Sequence, residues 1–214
     1  MEDKKYNELF SELVSLVKKE FRDAPGCHDW DHTERVLRNS QIICAGEKAD
    51  PQIVETAALL HDISRPDEMK KKGGVCHAEA GAAEAEKILR KFGLEESFIK
   101  RVSLCVENHR YRGKNTPETI EEKTVYDADK LDSIGATGVG RAFHFAGRIG
   151  ARLHNTEEEA LRSKSYSRED SAYREYLIKL RHVPEKMLTK TGRKLARRRA
   201  SFMKKFFDEI NREM

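Results

Sequence analysis

Residues 50–62 read Asp-Pro-Gln-Ile-Val-Glu-Thr-Ala-Ala-Leu-Leu-His-Asp, and this stretch decides how the chain is interpreted. Asp50 is a favourable N-cap and Pro51 suits the first helical position, so we expect a helix to begin there. The apolar residues that follow end abruptly at His61 and Asp62. An imidazole and a carboxylate are costly to bury unless something satisfies them, and one divalent metal ion would satisfy both.

The rest of the chain also shows the helical spacing of apolar residues, without a strand pattern or an internal repeat. We therefore predict an all-α fold. Ser167 and Thr191 are the expected caps of the last two helices, and Gly93 is the expected end of an earlier one. The predicted helices cover about residues 9–17, 29–43, 50–62, 77–92, 99–109, 119–134, part of 135–150, 167–180 and 191–210.

The chain has 214 residues, enough for one large domain, which we expect to span 1–214 with a C-terminal helical extension over about 155–214. Residues 65–75, with one proline and two glycines, predict a surface loop. The glycines between residues 135 and 150 lack the context of a phosphate loop and are expected to permit close helix packing.

The charge and cysteine content narrow the class of protein. A formal net charge of +4 is too small to demand nucleic acid as a partner, so we do not expect one, but the charge suits an anionic substrate. The charged N-terminus leads into no apolar segment, and no apolar run could span a bilayer. The four cysteines form no CxxC pair, which is typical of reduced thiols. We expect a cytoplasmic protein without a membrane partner.

The last predicted helix combines an apolar stripe with many basic residues. Its basic residues at 193–194, 197–199 and 204–205 could contact nucleic acid, but we interpret them as a solvated face. The helix could also support contacts in a homodimer. The predicted apolar stripe consists of Leu195, Phe202, Phe206 and Ile210.

Two further blocks carry groups that match His61 and Asp62. His32 ends the block Asp-Trp-Asp-His at residues 29–32, and Asp129 lies in Asp-Ala-Asp-Lys-Leu-Asp at residues 127–132. Two imidazoles and two carboxylates favour Mn, Fe, Ni, Co or Zn over calcium, which prefers oxygen ligands alone. Four protein ligands leave open positions on an octahedral ion, as a catalytic site requires.

These blocks, in this order, resemble the signature of the HD-domain metal-dependent phosphohydrolases over about residues 20–150. The 127–136 block, His77 and Asn108-His109-Arg110 resemble the small bacterial subgroup that includes nucleoside triphosphate pyrophosphohydrolases. The resemblance implies that His32, His61, Asp62 and Asp129 bind a divalent metal, with manganese favoured and magnesium also allowed. Asp29, Asp127 and Asp132 would then hold the ligands in orientation.

Residue 65 departs from one branch of that family. Some HD nucleotidases place a glutamate three positions after the His-Asp pair to activate water, but this chain has Arg65. The difference disfavours a monophosphatase, and a guanidinium suits phosphate binding. The other candidate phosphate-binding residues are Arg110, Lys130 and Lys70, the last with Lys71 and Lys72. Asp62, His77 and His109 are candidate catalytic residues, and the two histidines could instead bind a second metal.

The resemblance implies hydrolysis of a phosphate ester or anhydride by a water that the metal activates. A nucleotide is the expected small-molecule substrate, and pyrophosphohydrolysis of nucleoside triphosphates is the leading hypothesis. Hydrolysis of phosphodiesters or nucleoside monophosphates is the first alternative. The second is a nucleotide-binding or RNA-associated regulator with little turnover, which the complete ligand set disfavours.

Overall fold

In the computed structural model, the described residues are 2–22, 29–65, 77–110 and 116–214. Within these ranges every regular element is a helix, which confirms the all-α prediction. The expected surface loop at 65–75 lies almost entirely outside the described residues, as does Lys70. None of the described helices has both the length and the apolar character needed to cross a membrane.

The chain divides into two compact units, Met1–Asp129 and Lys130–Met214. The division falls earlier than the start of the C-terminal extension that we expected near residue 155, and the assignment of one domain stays a prediction. The first unit holds the following helices: α1 (Asp3–Glu20), α2 (Trp30–Glu47), α3 (Pro51–Leu60), α4 (His77–Lys91), α5 (Glu96–Asn108) and most of α6 (Ile120–Asp132).

Helix α3 is the centre of the first unit's core. Asp50 caps it by accepting hydrogen bonds from the amides of Gln52 and Ile53, as the sequence predicted. Helix α3 packs against α1, α2 and α5, while α4 packs against α5. Because α3 is covered on several sides, it is apolar around most of its circumference. Its residues from Thr56 to Leu60 are fully buried.

The second unit is built from the remaining helices. These are α7 (Gly135–Arg148), α8 (Glu157–Arg162), α9 (Ala172–Ile178), a 3-10 helix (Leu180–Lys186) and α10 (Lys190–Glu213). Helix α10 packs against α7 and the 3-10 helix. A Cβ added to Gly138 of α7 would lie 2.3 Å from the carbonyl oxygen of Ser133, so close packing there does require glycine.

Two predicted caps in the second unit are wrong. Ser171, not Ser167, caps α9 by accepting a hydrogen bond from the Arg174 amide, and Ser167 instead accepts one from the Glu169 amide in a turn. Helix α9 ends at Ile178, so the predicted continuation to residue 180 is also wrong. Thr189, not Thr191, caps α10 through the Gly192 amide.

The predicted apolar stripe of α10 is wrong by one position. Phe202 is 48% exposed, whereas Met203 and Phe207 are fully buried. Gly192 and Ala196 extend the buried face towards the N-terminus of the helix. Adjacent residues on a helix point about 100° apart, so this shift turns Phe202 outward.

Candidate metal centre

The end of α3 presents His61 to the interior of the first unit. His61 follows the last helical residue and is fully buried. Its Nδ1 lies 2.8 Å from the carbonyl oxygen of Ala58. Since a carbonyl only accepts, Nδ1 carries the proton and donates it. The Nε2 atom is therefore left with its lone pair, which is the form that binds a metal.

The first turn of α2 brings His32 to the same place. Asp29 caps this helix by accepting a hydrogen bond of 3.0 Å from the His32 amide, so one predicted supporting residue fixes the backbone of a predicted ligand. The Nε2 atoms of His32 and His61 are 3.2 Å apart. Their rings meet edge to face, with centroids 5.2 Å apart.

Two carboxylates approach this pair of histidines. Asp129 of α6 places Oδ1 3.5 Å from Nε2 of His32. Oδ2 of Asp62 lies 3.7 Å from Nε2 of His32 and 3.8 Å from Nε2 of His61. One donor atom each from His32, His61 and Asp129 fall within 4.8 Å of one another.

His109, the residue that follows α5, lies beside this cluster. Its Nε2 is 3.7 Å from Oδ1 of Asp62, and its ring centroid is 5.2 Å from that of His61. Its Nδ1 lies 2.6 Å from the carbonyl oxygen of Val106, so Nε2 again carries the lone pair. Burial lowers the pKa of His109 below its usual value, although the hydrogen bond with Asp62 opposes that shift.

The donor set fits a divalent ion. Metal–nitrogen bonds to histidine are about 2.1 Å long, so neighbouring ligand atoms on one ion lie about 3 Å apart. The distances from Nε2 of His32 to His61, Asp129 and Asp62 are 3.2, 3.5 and 3.7 Å, and Asp62 lies 3.8 Å from Nε2 of His61. Imidazole nitrogen combined with carboxylate oxygen suits a first-row transition metal. These four residues could therefore hold one ion, and His109 stands next to them.

Polar contacts behind the cluster position its helices. Asn39 in the middle of α2 donates a hydrogen bond of 3.1 Å to the carbonyl oxygen of Ala128, the residue before Asp129. Glu122 is buried and accepts a hydrogen bond of 2.7 Å from Asn108, the residue before His109. Both contacts tie a helix that carries a cluster residue to α6.

Sequence analysis missed both of these positioning residues. Thr119 and Glu122 form a reciprocal capping box at the start of α6, and the Thr-x-x-Glu spacing could have revealed it. Asn39 gives no comparable local signal, because its partner is 89 residues away in the sequence.

The other predicted site residues of the first unit lie next to the cluster in the sequence or at the ends of its helices. Arg65 is half-buried, and its amide donates to the carbonyl oxygen of Asp62 in the turn after α3. Arg110 is half-buried directly after His109, and Asp127 is fully buried. His77 begins α4, but its side chain lies outside the described residues.

Two predicted residues belong to the second unit. Lys130 is its first residue and is half-buried. Asp132 is buried and forms an ion pair with Arg141 of α7. The described contacts of Asp132 therefore show a structural role within its own unit, and its support of a metal ligand stays a prediction.

Comparison with known proteins identifies a family and a similar protein. The profile of the HD domain family matches residues 29–134, which include His32, His61, Asp62 and Asp129. The uncharacterized protein YpgQ of Bacillus subtilis is 36% identical over 210 residues, covering 95% of this chain and 92% of YpgQ.

Two solved structures extend the likeness to the fold. A predicted HD superfamily hydrolase from an uncultured Thermotogales bacterium has 32% identity and a TM-score of 0.69, with 95% of this chain and 91% of that chain covered. A complex of B. subtilis YpgQ with ADP has 31% identity and a TM-score of 0.73, with 95% and 97% covered.

The helices bring His32, His61 and Asp129 together as a group that could hold a metal ion, as expected for a metal-dependent hydrolase. The chain belongs to the HD domain family, and it is a metal-dependent phosphohydrolase. HD domains bind divalent metals, in agreement with the donor cluster.

Proposed function

We propose that this phosphohydrolase acts on nucleotides and hydrolyses nucleoside triphosphates to nucleoside monophosphates and pyrophosphate. The observation that carries the proposal is the complex of YpgQ with ADP, since YpgQ covers nearly the whole of this chain. Arg65 is the second support, because it replaces the glutamate that the resemblance associates with monophosphatases.

The proposed ligands of the divalent ion are His32, His61, Asp62 and Asp129, and manganese is the favoured ion. When bound, such an ion lowers the pKa of water and polarises a phosphoryl oxygen. The backbone carbonyl of Ala58 orients His61, and the Asp29 cap orients the backbone of His32. The contact with Ala58 thus directs the Nε2 lone pair of His61 towards the proposed ion.

His109 is the proposed general base. Its Nδ1 donates to the carbonyl oxygen of Val106, so Nε2 carries the lone pair of the neutral ring, and burial lowers the pKa of this imidazole. Nε2 can therefore accept a proton from the attacking water. Asp62, which lies 3.7 Å away, stabilises the imidazolium that forms. Arg65 and Arg110 are proposed to bind phosphate oxygens, for which a guanidinium is well suited.

Product analysis tests the proposed reaction. ATP incubated with the protein and Mn²⁺ in ¹⁸O-labelled water should give AMP and pyrophosphate, with the label in AMP because water attacks the α-phosphorus. ADP with inorganic phosphate would overturn pyrophosphohydrolysis. Faster turnover of AMP or of a cyclic dinucleotide than of any triphosphate would favour the alternative esterase activities. The His61→Ala variant is the control for contaminating phosphatases.

A further inference from the structure

Helix α10 concentrates positive charge in a way that the rest of the chain does not. Residues 190–207 contain eight of the chain's 41 basic residues and none of its 37 acidic ones. Since the whole chain has a net charge of +4, the remainder has a net charge of −4. The small overall charge thus conceals a strongly cationic segment, and the sequence argument against a nucleic-acid partner does not apply to this segment.

On other helices, several exposed basic side chains are paired with acidic ones on the same helix. Arg38 pairs with Glu34 on α2, and Arg162 pairs with Glu158 on α8. Such alternation is typical of a helix face that only faces solvent. On α10, Lys204 pairs with Asp208, but five cations make no salt bridge with any residue that the structure describes. These are Lys190, Lys194, Arg197, Arg198 and Lys205.

The unpaired cations share one exposed face of α10. Lys194 follows Lys190 by four residues, and Arg197 and Arg198 follow Lys194 by three and four, so these cations form a stripe along the helix. Arg193 and Arg199 do not belong to this stripe, because they donate hydrogen bonds to backbone carbonyls of Met187 and Leu131. We call the exposed set, with Lys205 and Phe202, the basic face.

Phe202 gives the basic face an exposed aromatic ring. It is 48% exposed and lies one helical turn from Arg198 on one side and from Lys205 on the other. A groove of about 360 Å³ runs between α10 and the 3-10 helix, on the other side of the cationic stripe from Phe202. Tyr176, Leu180 and Met203 line this groove, together with the cations Arg181, Arg197 and Lys204.

We propose that the basic face of α10 and this groove bind single-stranded nucleic acid. Proteins that bind single strands combine a cationic track for the phosphates with aromatic or apolar surfaces for the bases. The stripe of Lys194, Arg197 and Arg198 supplies the track. The ring of Phe202 supplies a stacking surface, and the groove supplies apolar surface for a further base.

Charge and burial disfavour two other occupants. A second copy would bring an identical cationic face against this one, and like charges repel. A membrane-binding helix inserts an apolar face into the lipid. The apolar face of α10, with Ala196, Met203 and Phe207, is already buried in the second unit, which leaves Phe202 as the large apolar side chain on the outward face.

Fluorescence anisotropy with a labelled oligo(U) RNA of about 12 nucleotides tests the proposal on the full chain. We expect wild-type binding that weakens steeply between about 50 and 200 mM salt. A variant with Lys194, Arg197, Arg198 and Lys205 all changed to Gln should bind at least about tenfold more weakly. Its salt slope should fall by roughly 0.7 for each RNA phosphate that the variant no longer neutralises.

The matched control removes four exposed lysines from the first unit and so changes the net charge equally. It should bind RNA as tightly as the wild type, and circular dichroism should show that both variants fold. Equal weakening of the two variants, or absence of wild-type binding at the lowest salt, would overturn the proposal. The control carries Lys4→Gln, Lys19→Gln, Lys91→Gln and Lys100→Gln.

The variant Phe202→Ala tests the stacking surface separately. We expect it to weaken RNA binding by about fivefold or more without changing the salt slope, because a base–aromatic stack carries no charge. It should not affect binding of duplex RNA, whose bases are already stacked. Vesicles with phosphatidylserine form the last arm. If the four-residue variant lost binding to the vesicles but bound RNA as tightly as the wild type, nucleic acid would be rejected in favour of a lipid surface.

Discussion

The Nε2 atoms of His32 and His61 face each other at 3.2 Å in a region where both side chains are buried. Nδ1 of His61 donates to Ala58, so its Nε2 has a lone pair and no proton of its own. Two imidazole nitrogens at this separation need a proton or a cation between them. A divalent ion satisfies both nitrogens and also engages Asp129 and Asp62, and for that reason we regard this pair as the centre of the metal site.

Substitution of His109 should impair catalysis without impairing metal binding. If it is the general base, His109→Gln will lower kcat by about 100-fold or more while Mn²⁺ affinity changes little. Kinetics and calorimetric titration of Mn²⁺ on the same preparation measure both effects. The exposed residue His144 supplies the control variant His144→Gln, which should match the wild type. A loss of metal stoichiometry in His109→Gln would instead make His109 a metal ligand.

Asn39 should act on the site through Asp129. Asn39→Ala leaves the buried carbonyl of Ala128 without this donor, which costs about 1–3 kcal/mol of unfolding free energy. Because Asp129 is the next residue, Mn²⁺ affinity should fall by roughly 10- to 100-fold. Urea unfolding and metal titration check the two effects.

Ser40 provides the matched control for Asn39. It is equally buried on α2, but its hydroxyl donates to Leu37 within the same helix. We expect Ser40→Ala to leave Mn²⁺ affinity at the wild-type level. If Ser40→Ala and Asn39→Ala weakened metal binding alike, the positioning role of Asn39 would be rejected.

Alanine substitutions at Gly138 and Gly140, both on α7, should have opposite effects on the free energy of unfolding. A Cβ at Gly138 would lie 2.3 Å from the Ser133 oxygen, so Gly138→Ala must displace backbone and should destabilise the protein by about 1–3 kcal/mol. A Cβ at Gly140 meets no described atom within 4 Å. Gly140→Ala should therefore stabilise α7 by up to about 1 kcal/mol. Chemical denaturation compares them, and equal effects would contradict the packing described for Gly138.

Tyr6 should make stability depend on alkaline pH. Burial raises the pKa of its phenol, which is hydrogen-bonded to Thr56 and Gln52. The unfolded chain then loses the phenol proton first as pH rises above about 10, so folding stability is present below that pH and declines above it. Tyr6→Phe should show a shallower decline in unfolding free energy above pH 10. A decline as steep as that of the wild type would show that Tyr6 does not cause it.

Local hydrogen bonding explains which helix ends the sequence could predict. Asp50 caps its helix as expected, with Pro51 at the first helical position, because this cap is decided by a few adjacent residues. Ser167 and Thr191 were wrong because other Ser and Thr residues lie nearby, and tertiary packing selects among them. The buried stripe of α10 was wrong for a related reason. Gly192 and Ala196 permit close approach to neighbouring helices, and a pattern of large apolar residues does not reveal this.

The cluster could be predicted in part. The order of the blocks that contain His32, His61 and Asp129 indicated a common site, and the structure brings their donor atoms together. The contact of His109 with Asp62 could not be derived from spacing, since it depends on how the end of α5 meets the end of α3. Asn39 was out of reach for the same reason, whereas Glu122 could have been found from its capping box.

Metal binding by the His61→Ala and Asp62→Ala variants tests the central claim most directly. Mn²⁺ stoichiometry and ATP hydrolysis are measured on each variant and on the wild type, with circular dichroism as the control for folding. We predict that the wild type binds Mn²⁺ and hydrolyses ATP to AMP and pyrophosphate. Both variants should keep their helicity but lose the metal and the activity together. A folded His61→Ala protein that binds Mn²⁺ stoichiometrically, or that hydrolyses ATP at the wild-type rate without metal, would contradict the account.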